Sequence, residues 1–494
     1  MILLYLLLAW FNIRDCLLFL LVFLLISDIL KNRNQPNFPP GPWPLPFLGN
    51  VHSTLDFRTI AKLAGEYGNV FSLRKGSEKI VFVSGYKMVK EALVTQGENL
   101  VDRPLLPLFH EIFKGLGIIL SNGQLWKSQR KFANIHLKYF GEGKKTLMTY
   151  IQQECQYICQ AMKEEQGRPF DPQFTMSNAV SNVISSVVFG HRFDYSDTRF
   201  QTVLRLNAEA IFLFGSLHAQ LYDVLPGLLK YLPGSHQTIL SNYDKIIAFI
   251  NEEIEKHKED WDPSDPRDYI DTYLREIKTK KDDVEAGFNI ETLTYCILDM
   301  FEAGTDTSAT TLRWGFVFMM KNPEIQRKVQ DEIDSVIGRS RQPIMADRAN
   351  MPYTDAVIHE IQRMGNIVPM GFPKMTSKDA KLGEHFIPKG TTVLISLSSV
   401  LNDEHEWETP DTFNPEHFLD SLGQFRRRKA FLPFSAGKRV CLGEQLAEME
   451  LFLFFTSLLQ RFTFSPPPGV EPSLEGQLGI TYTPGSFQMC ALDR

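Results

Sequence analysis

The sequence predicts a mainly α-helical protein with a small β-rich subdomain and a transmembrane anchor at its N-terminus. Residues 1–30 are the most apolar part of the 494-residue chain. Short runs of β-branched and aromatic residues occur at a few places, and most of the remainder has helical periodicity between Pro and Gly breaks. A hydrophobic content of 44% supports a large core. We expect an anchor over residues 1–30, a basic and proline-rich hinge over residues 31–50, and one large domain over residues 51–494.

The composition excludes some classes of protein. A net charge of −6 does not favour a nucleic-acid binder. Six cysteines are sparse for this length, which argues against a disulfide scaffold. Cys155 and Cys159 lie four residues apart on a predicted helix, with no histidine or further cysteine nearby. We interpret them as packing thiols and not as a metal pair.

The anchor consists of two apolar runs, residues 1–11 and 16–26, on either side of a polar cluster with Arg14 and Asp15. Each run is shorter than the roughly 20 residues that a helical span needs. Because an Arg-Asp pair is costly in hydrocarbon, we expect residues 16–30 to form a short or tilted span, with residues 1–11 at the interface or extending it. The alternative is a buried core helix.

Basic residues follow the anchor directly. Lys31 and Arg33 place the rest of the chain on the cytosolic side by the positive-inside rule, and no small-residue cleavage site is evident. The next segment has five prolines, at positions 39, 40, 42, 44 and 46. They exclude a helix and favour a stiff extended spacer between the membrane and the large domain.

Three short segments predict the sheet: residues 71–73, 79–84 and 391–396. Residues 480–492 predict a terminal hairpin that turns at Pro484-Gly485. Residues 206–234 are apolar and interrupted by Pro and Gly. They predict a lid helix and a loop that dips into the membrane, the alternative being an ordinary helix-turn-helix packing face.

Residues 124–132 predict a helix with Trp126 and Arg130 on one face, four residues apart. Arg130 can bind a carboxylate while Trp126 packs or donates its ring N–H. By itself the pattern also fits a surface arginine lying over an aromatic ring.

Residues 292–314 predict a buried helix, but the middle of this segment contains residues that are unfavourable in the core of a protein. It contains Gly304, an acid, Asp306, and an alcohol, Thr307. A helical glycine costs about 1 kcal/mol relative to alanine, and buried polar groups cost more unless they are paired. Such exceptions are expected at functional sites. Thr307 can donate to the carbonyl of Ala303 and bend the helix. The small residues beside it would then open a groove on the surface of the helix. In that groove, Asp306 and Thr307 could transfer protons.

The most informative stretch is residues 434–443, FSAGKRVCLG. A thiolate at Cys441 is a strong metal ligand, and one cysteine can hold an axial position of a haem iron. Gly437 and Gly443 allow backbone to approach a flat cofactor, and Arg439 can pair with a carboxylate. The helix predicted over residues 444–462 would aim its N-terminal dipole at the sulfur.

This stretch matches the pattern F-x-x-G-x-R-x-C-x-G at Phe434, Gly437, Arg439, Cys441 and Gly443. The pattern resembles the haem-binding loop of the cytochrome P-450 family, and the resemblance extends over the whole chain. It is nearest to microsomal, vertebrate family-two members, with their anchor and Pro-Gly-Pro hinge. The resemblance implies the cytochrome P-450 fold and a haem-binding catalytic domain over residues 51–494.

The resemblance also implies roles for residues. Cys441 would be the axial ligand of haem b, and Asp306 and Thr307 would deliver protons to dioxygen, the co-substrate. Other cofactor-binding residues would be Arg103, Trp126, Arg130, Lys374, Phe434, Arg439 and Gly443. Lys374 stands where the family often has a propionate-binding histidine.

A structural brace beneath the cysteine loop is implied by Glu360 and Arg363, whose E-x-x-R spacing permits an ion pair on a helix. The family's third partner is usually an arginine, and this chain has His417 there. Whether His417 completes the brace is left open, because the charge of a histidine depends on pH.

The implied substrate pocket is nearly all apolar, so the substrate would be a lipophilic small molecule. Its residues would be Ile119, Leu120, Met300, Ala303, Thr307, Ile367, Val368, Phe372 and Ile480. Basic residues near the cysteine side would dock a reductase: Lys127, Lys131, Arg426, Arg427, Arg428, Lys429 and Lys438. The alternative for each of them is a solvated surface charge.

The implied activity is that of an unspecific monooxygenase, driven by NADPH through a reductase, with cytochrome b5 as a further partner. It would hydroxylate or epoxidise fatty acids such as arachidonate, steroids or foreign compounds, from the endoplasmic reticulum membrane and facing the cytosol. Two alternatives remain. One is a haem-thiolate enzyme that isomerises or dehydrates a peroxide without external electrons, which the intact Asp306-Thr307 pair argues against. The other is a non-catalytic haem sensor, which the basic face and apolar pocket mouth argue against.

Overall fold

The structure is a computed structural model that describes residues 13–50, 56–142 and 147–494. The expectation for residues 1–11 lies outside the described part of the chain.

Helices make up most of the described chain, as predicted. In chain order they are α1 (Ile13–Lys31), α2 (Phe57–Tyr67), α3 (Tyr86–Lys90), α4 (Pro107–Phe113), α5 (Gly123–Glu142), α6 (Leu147–Glu164), α7 (Gln173–Val188), α8 (Thr198–Phe214), α9 (Leu217–Val224), α10 (Pro226–Leu229), α11 (Ser235–Asp260), α12 (Tyr269–Thr279), α13 (Ile290–Lys321), α14 (Pro323–Val336), α15 (Pro352–Gly365), α16 (Ser398–Leu401) and α17 (Glu444–Arg461). α3 continues directly into a π-helical turn, Glu91–Thr95, and 3-10 turns occur at Val284–Ala286, Met345–Asn350, Pro415–Phe418 and Gly437–Arg439.

The strands are short and form four small sheets. They are β1 (Val70–Lys75), β2 (Glu78–Val83), β3 (Lys374–Met375), β4 (Ala380–Leu382), β5 (His385–Ile387), β6 (Thr392–Ile395), β7 (Phe462–Ser465), β8 (Gly476–Leu478), β9 (Tyr482–Pro484) and β10 (Cys490–Asp493). The largest sheet has the order β1-β2-β6-β3. β1 and β2 pair antiparallel, and β2 and β6 pair parallel from Ile80 opposite Thr392. The three predicted segments of this sheet are confirmed.

The predicted terminal hairpin is wrong. β9 pairs with β8, which precedes it, and the turn lies at residues 479–481 and not at Pro484-Gly485. β10 pairs instead with β7, at the end of α17. Both stretches have strand-like composition, but composition does not specify the partner of a strand.

The helical core surrounds α13. This helix packs against α7, α11, α15 and α17. Asn289 caps the N-terminus of α13, since its side chain accepts a hydrogen bond of 2.8 Å from the amide of Thr292. Its side chains are buried over nearly all of its length, except around residues 302–307. The segment whose glycine, acid and alcohol are unfavourable in a core is therefore also the accessible part of the helix.

The proline-rich hinge packs directly on β1. The amide of Ser72 donates to the carbonyl of Pro40 at 2.7 Å, and its hydroxyl donates to Pro39 at 2.8 Å. A Cβ at Gly41 would lie 1.9 Å from the Ser72 carbonyl oxygen, so only glycine permits this approach. In addition, Asp28 of α1 pairs with Arg74 of β1 at 2.9 Å, and both side chains are buried.

Within the described residues, no helix has the length and apolar character needed to cross a membrane. α1 carries charges at both ends, Arg14 and Asp15 at the start and Asp28 and Lys31 at the finish. Between them its leucine, phenylalanine and isoleucine side chains are largely exposed.

Candidate functional site

The cysteine loop is held close to the body of the protein by glycine. Gly437 has φ of +77° and begins the 3-10 turn Gly437–Arg439. A Cβ there would lie 1.9 Å from the carbonyl oxygen of Leu93, in the π-helical turn Glu91–Thr95. The amide of Cys441 then donates to the carbonyl of Phe434 at 3.1 Å, which closes the loop on itself.

Cys441 lies at the end of this loop, two residues before Gly443, which caps the N-terminus of α17. Its side chain is accessible, although burial among protein atoms raises the pKa of its thiol. We infer that it faces an internal cavity. The amide of Gly443 and the nearby charge of Arg130 oppose the effect of burial and favour the thiolate.

Four cations gather beside this loop. Arg439 is buried and donates to the carbonyl oxygens of Val101 at 2.8 Å and Ser121 at 2.7 Å. Arg103 donates to the carbonyls of Pro373 and Ile119. The guanidinium of Arg130 on α5 donates to the carbonyl of Val440, and Lys374 on β3 is buried.

These cations have no carboxylate at ion-pair distance in the described chain, although the charges of Asp299 and Asp102 weakly favour Arg103 and Arg439. None of the four forms an ion pair with a carboxylate of residues 13–50, 56–142 or 147–494. Burial, followed by repulsion from Arg103 and Arg130, lowers the pKa of Arg439 to about 8. Burial and then repulsion from Arg130 lower the pKa of Arg103 to about 10. Burial and the same three arginines depress the pKa of Lys374 well below its usual range.

Trp126 contributes a hydrogen-bond donor to the same place. The guanidinium carbon of Arg439 lies 3.8 Å from the centre of its ring. The indole N–H is buried and, among the described residues, has no acceptor. A buried N–H without an acceptor, next to four uncompensated cations, fits a bound group with carboxylates. The residues present therefore fit haem, which has two propionates and an iron that accepts a thiolate ligand.

The predicted proton-transfer pair lies in the middle of α13. The hydroxyl of Thr307 donates to the carbonyl of Ala303 at 2.7 Å, as the sequence predicts. Asp306 accepts from the hydroxyl of Thr481 at 2.6 Å, in the turn between β8 and β9. Burial raises the pKa of Asp306, and the hydrogen bond from Thr481 partly opposes that effect.

The small residues of this stretch do not all open a groove, which corrects the sequence-based expectation. A Cβ at Gly304 would lie 3.1 Å from Ile184 of α7, so glycine here serves close packing between helices. Ala303, in contrast, is exposed in the middle of the buried helix. The open surface is therefore on the side of Ala303 and Thr307.

Two further acids on α13 were missed from the sequence. Asp299 accepts from the backbone amides of Ile118 at 2.5 Å and Ile119 at 2.9 Å, and burial raises its pKa to about 7. Glu302 accepts from the hydroxyl of Tyr243 on α11. The available signal was the interruption of an apolar helix at residues 299, 302 and 306, which together follow helical spacing.

Glu360, Arg363 and His417, the residues of the predicted brace, lie in contact with one another. Glu360 and Arg363 form two hydrogen bonds of 2.8 Å, and both side chains are fully buried. His417 places Nδ1 3.2 Å from Glu360, while Nε2 accepts from the amide of Thr409 at 3.2 Å. The hydroxyl of Thr409 also lies 3.0 Å from Nε2, so both ring nitrogens of His417 have polar partners. The contact places His417 beside Glu360, and its role as the third member of a brace stays a prediction.

The predicted pocket residues come together through two connections. Arg103 donates to the carbonyls of Ile119 and Phe372, joining the segment before α5 to the segment after α15. The β8-β9 hairpin brings Ile480 to α8 and hydrogen-bonds through Tyr482 to the carbonyl of Ile367 at 2.8 Å. Leu120 and Val368 are half-buried beside them. Met300 is buried in the helical core, and its place in the pocket stays a prediction.

The basic surface is only partly free. Arg426 and Arg428 both pair with Glu408, and Arg428 is largely buried over Trp407. Lys438 pairs with Glu98 at 2.7 Å. Arg427 is exposed and lies 4.0 Å from Glu448. Lys127, Lys131 and Lys429 are exposed as well.

Comparison with known proteins gives consistent results. A family model described as "Cytochrome P450" matches residues 39–491. Cytochrome P450 2J2 of Homo sapiens is 49% identical over 485 residues, covering 97% of this chain and 96% of that protein. Cytochrome P450 2D26 of Mus musculus is 44% identical over 489 residues, covering 97% of each. Cytochrome P450 2K1 of Oncorhynchus mykiss is 44% identical over 486 residues, covering 97% of this chain and 96% of that protein.

Proposed function

Because this chain belongs to the cytochrome P450 family, we propose how its own residues hold haem b and direct its chemistry. The protein is a haem-thiolate monooxygenase that takes electrons from NADPH through a reductase and oxidises lipophilic small molecules. When bound, haem supplies the iron that activates dioxygen and transfers one of its oxygen atoms to the substrate.

Cys441 would bind the haem iron through its thiolate. Its sulfur stands at the N-terminus of α17, where the helix dipole and the amide of Gly443 stabilise negative charge. The closed loop, with Phe434 at one end, fixes the position of the sulfur before any ligand binds. The brace of Glu360, Arg363 and His417 supports the segments that lead into this loop.

The observation that carries the proposal is the uncompensated cation cluster beside Cys441. Arg103, Arg130, Arg439 and Lys374 would bind the propionates, and Trp126 would donate its free indole N–H to one of them. Binding of these carboxylates would relieve the repulsion among the cations. The substitution of lysine for the family's usual histidine at position 374 fits this scheme, because lysine also donates.

Thr307 and Asp306 are the proposed proton-transfer residues. The Thr307 hydroxyl hydrogen is directed to Ala303, so its oxygen remains able to accept a hydrogen bond from water or another donor. Asp306 is held by Thr481. It can therefore take a proton from the hairpin side of α13 and pass it toward Thr307 through water.

The substrate enters, we propose, from a lipid surface. Large apolar side chains are exposed on the hinge, at Trp43, Leu45 and Phe47, and on the lid that follows α8, at Leu217, Leu225, Leu228 and Tyr231. Lys75 of β1 pairs with Asp223 of α9 at 3.0 Å, which links the two regions. Such clustered apolar groups fit an interfacial position. The walls formed by Ile119, Leu120, Ala303, Ile367, Val368, Phe372 and Ile480 favour fatty acids, steroids and foreign lipophiles.

The same reasoning supports the proposed location and organisation. Residues 1–30 would anchor the protein in the endoplasmic reticulum membrane, with the exposed apolar side chains of α1 in lipid. Residues 31–50 would be the hinge, and residues 51–494 the catalytic domain on the cytosolic side. NADPH-cytochrome reductase and cytochrome b5 would dock on Lys127, Lys131, Arg427 and Lys429, which are exposed.

The decisive experiment is the absorbance spectrum of the reduced holoprotein with carbon monoxide. We expect the band of a thiolate-ligated haem, its loss in Cys441→His, and its retention in Cys16→His, a control at an exposed cysteine on α1. Reconstitution with reductase should give a product only when NADPH is present. Turnover of a lipid hydroperoxide alone, with none on NADPH and dioxygen, would instead establish a peroxide isomerase.

A further inference from the structure

Glu302 is a buried acid in a position that the haem-binding scheme does not use. It lies on α13 immediately before the exposed Ala303. The hydroxyl of Tyr243 donates to Oε1, and within the described chain no hydrogen bond engages Oε2. The Glu302 side chain remains partly accessible, although burial raises the pKa of its carboxyl to about 8. Both facts indicate a carboxyl group at the wall of an internal cavity.

An aromatic wall adjoins this acid. It consists of Phe109, Phe113, Phe214, Tyr243 and Phe372. The Tyr243 ring lies 5.6 Å from that of Phe113 and 6.1 Å from that of Phe214. Phe109 connects the others, stacked on Phe214 at 4.4 Å and edge-on to Phe372 at 6.0 Å. Phe109, Phe214 and Phe372 are only half-buried, so the wall keeps open ring surface.

No cation of the described chain is paired with the acids here. Asp299, Glu302 and Asp306 accept only from amides and hydroxyls. After burial, the charges of Asp299 and Asp306 are further causes of the raised pKa of Glu302. Arg103 lowers the pKa of Asp299 and Arg313 lowers that of Asp306, but no cation is among the charges that act on the pKa of Glu302. The region around Glu302 is therefore one where a bound cation would be stabilised.

We propose that Glu302 and the aromatic wall form a subsite for the cationic head of a lipophilic amine substrate. The inference rests on the proposed function, because it assigns a substrate class to the pocket of the monooxygenase. An ammonium group is recognised by ring faces and by a carboxylate together. The apolar remainder of such a substrate would occupy the walls formed by Ile367, Val368 and Ile480.

Two features make the arrangement suited to a cation. The carboxyl is mostly protonated near pH 7 in the absence of ligand, so it is not buried as an uncompensated charge. The approach of an ammonium group favours the carboxylate form, and the low local dielectric strengthens the resulting ion pair. Tyr243 holds the carboxyl in place by its hydrogen bond, and its own pKa is raised far above the usual value, chiefly by burial, so it stays neutral.

The test uses the haem-loaded full-length protein and two probes of the same shape. One is a phenylalkyl trimethylammonium ion, and the other is its neutral analogue with a tert-butyl head. Because a quaternary nitrogen cannot ligate iron, both probes report on the pocket alone. Binding is measured by calorimetry and by the shift of the haem absorbance band. The variants are Glu302→Gln and a control on the same helix, Glu291→Gln, whose side chain is exposed and pairs with Lys114.

We expect Glu302→Gln to weaken binding of the ammonium probe by about tenfold or more, which corresponds to about 1.4 kcal/mol. The neutral probe should change by less than about twofold, and Glu291→Gln should change neither. An equal loss for both probes would overturn the proposal, since it would reveal a purely structural acid. Failure of the ammonium probe to bind the wild-type protein while the neutral probe binds would also overturn it, and would leave the monooxygenase function intact.

The pH dependence gives a separate readout. The titratable groups facing Glu302 are Tyr243 from α11 and Asp299 and Asp306 on α13 itself. Since the ammonium probe does not titrate, its affinity for the wild-type protein should rise between pH 6.5 and pH 8, as the unliganded carboxyl approaches its pKa of about 8. The same slope in Glu302→Gln would assign the effect to Asp299 or Asp306 and would refute the role of Glu302.

Discussion

The guanidinium carbon of Arg439 lies 3.8 Å from the centre of the Trp126 ring, and the ring N–H has no acceptor in the described part of the chain. The two residues come from segments that are far apart in sequence. Their contact joins α5 to the cysteine loop, with the free N–H inside the cation cluster.

Trp126→Phe should separate the stacking from the hydrogen bond. Phenylalanine keeps an aromatic face for Arg439 but removes the N–H, so a propionate would lose one donor. We expect haem to be lost on the order of tenfold to a hundredfold faster, because a hydrogen bond to a charged acceptor contributes about 1.5–3 kcal/mol. The measurement is the rate of haem transfer to a scavenger protein. Trp43→Phe, at a hinge residue that is 93% exposed, is the matched control and should leave that rate unchanged.

His417→Ala should destabilise the fold while leaving Cys441, the proposed iron ligand, in place. The change leaves the Thr409 amide without its acceptor and removes one donor from Glu360. We expect a loss of about 1–3 kcal/mol in the free energy of unfolding, measured with urea on the haem-loaded protein. His405→Ala is the control, because His405 is 94% exposed. Equal urea midpoints for the two variants would show that His417 is not part of the brace.

Thr481→Val should change the pH dependence of coupling, defined as product formed per NADPH consumed. The Thr481 hydrogen bond lowers the pKa of Asp306, which burial has raised. Its removal therefore raises that pKa further, and the carboxylate form, present above the pKa, is lost at a higher pH. The pH below which coupling falls should move upward.

Thr483→Val is the control for this prediction. It lies in the same hairpin, and its hydroxyl makes only a long 3.5 Å contact with the carbonyl of Gln477. A wild-type pH profile in Thr481→Val would argue against Asp306 as a proton-transfer residue.

Gly41→Ala should detach the hinge from β1. The new Cβ would lie 1.9 Å from the carbonyl oxygen of Ser72, so the backbone must shift. We expect a loss of about 1–3 kcal/mol in stability, with faster proteolysis at the hinge. Gly65→Ala on α2 has no atom within 4 Å of the added methyl. It should be neutral, or stabilising by about 0.5–1 kcal/mol through helix propensity.

Reversal of charge at Lys127 and Lys131 should weaken reductase docking. Both side chains are exposed on α5. We expect the reductase concentration for half-maximal turnover to rise on the order of tenfold at low ionic strength and to approach the wild-type value as salt screens the charges. Lys62→Glu on α2 is the control. An increase that is independent of salt would contradict electrostatic docking.

Much of this arrangement could be predicted from local sequence. The Thr307 bond to Ala303 and the Glu360-Arg363 pair each join residues three or four positions apart, so helix geometry alone brings them together. The segments that form β1, β2 and β6 were recognisable because their composition is strongly β-favouring.

The other contacts of the site join segments that are far apart in sequence, so they could not be predicted from local patterns. Tyr243 is 59 residues from Glu302, and Thr481 is 175 residues from Asp306. No local pattern specifies such partners. The prediction of a terminal hairpin was wrong for the same reason, because β9 pairs with β8 and β10 pairs with β7, and the two do not pair with each other. The contact of His417 with Glu360 is likewise non-local, since the two residues are 57 positions apart.

The Asp28-Arg74 pair and the packing of Pro39, Pro40 and Gly41 on β1 tie α1 and the proline-rich segment to the rest of the protein. With α1 in lipid, as proposed, the large domain would have little freedom to rotate relative to the membrane. The pocket mouth would then stay at a fixed depth relative to lipid headgroups. Substrate would be sampled from the bilayer, where an oil-soluble compound is far more concentrated than in the surrounding water. The apparent Michaelis constant of such a compound would then follow its lipid partition coefficient and the lipid-to-water volume ratio of the assay.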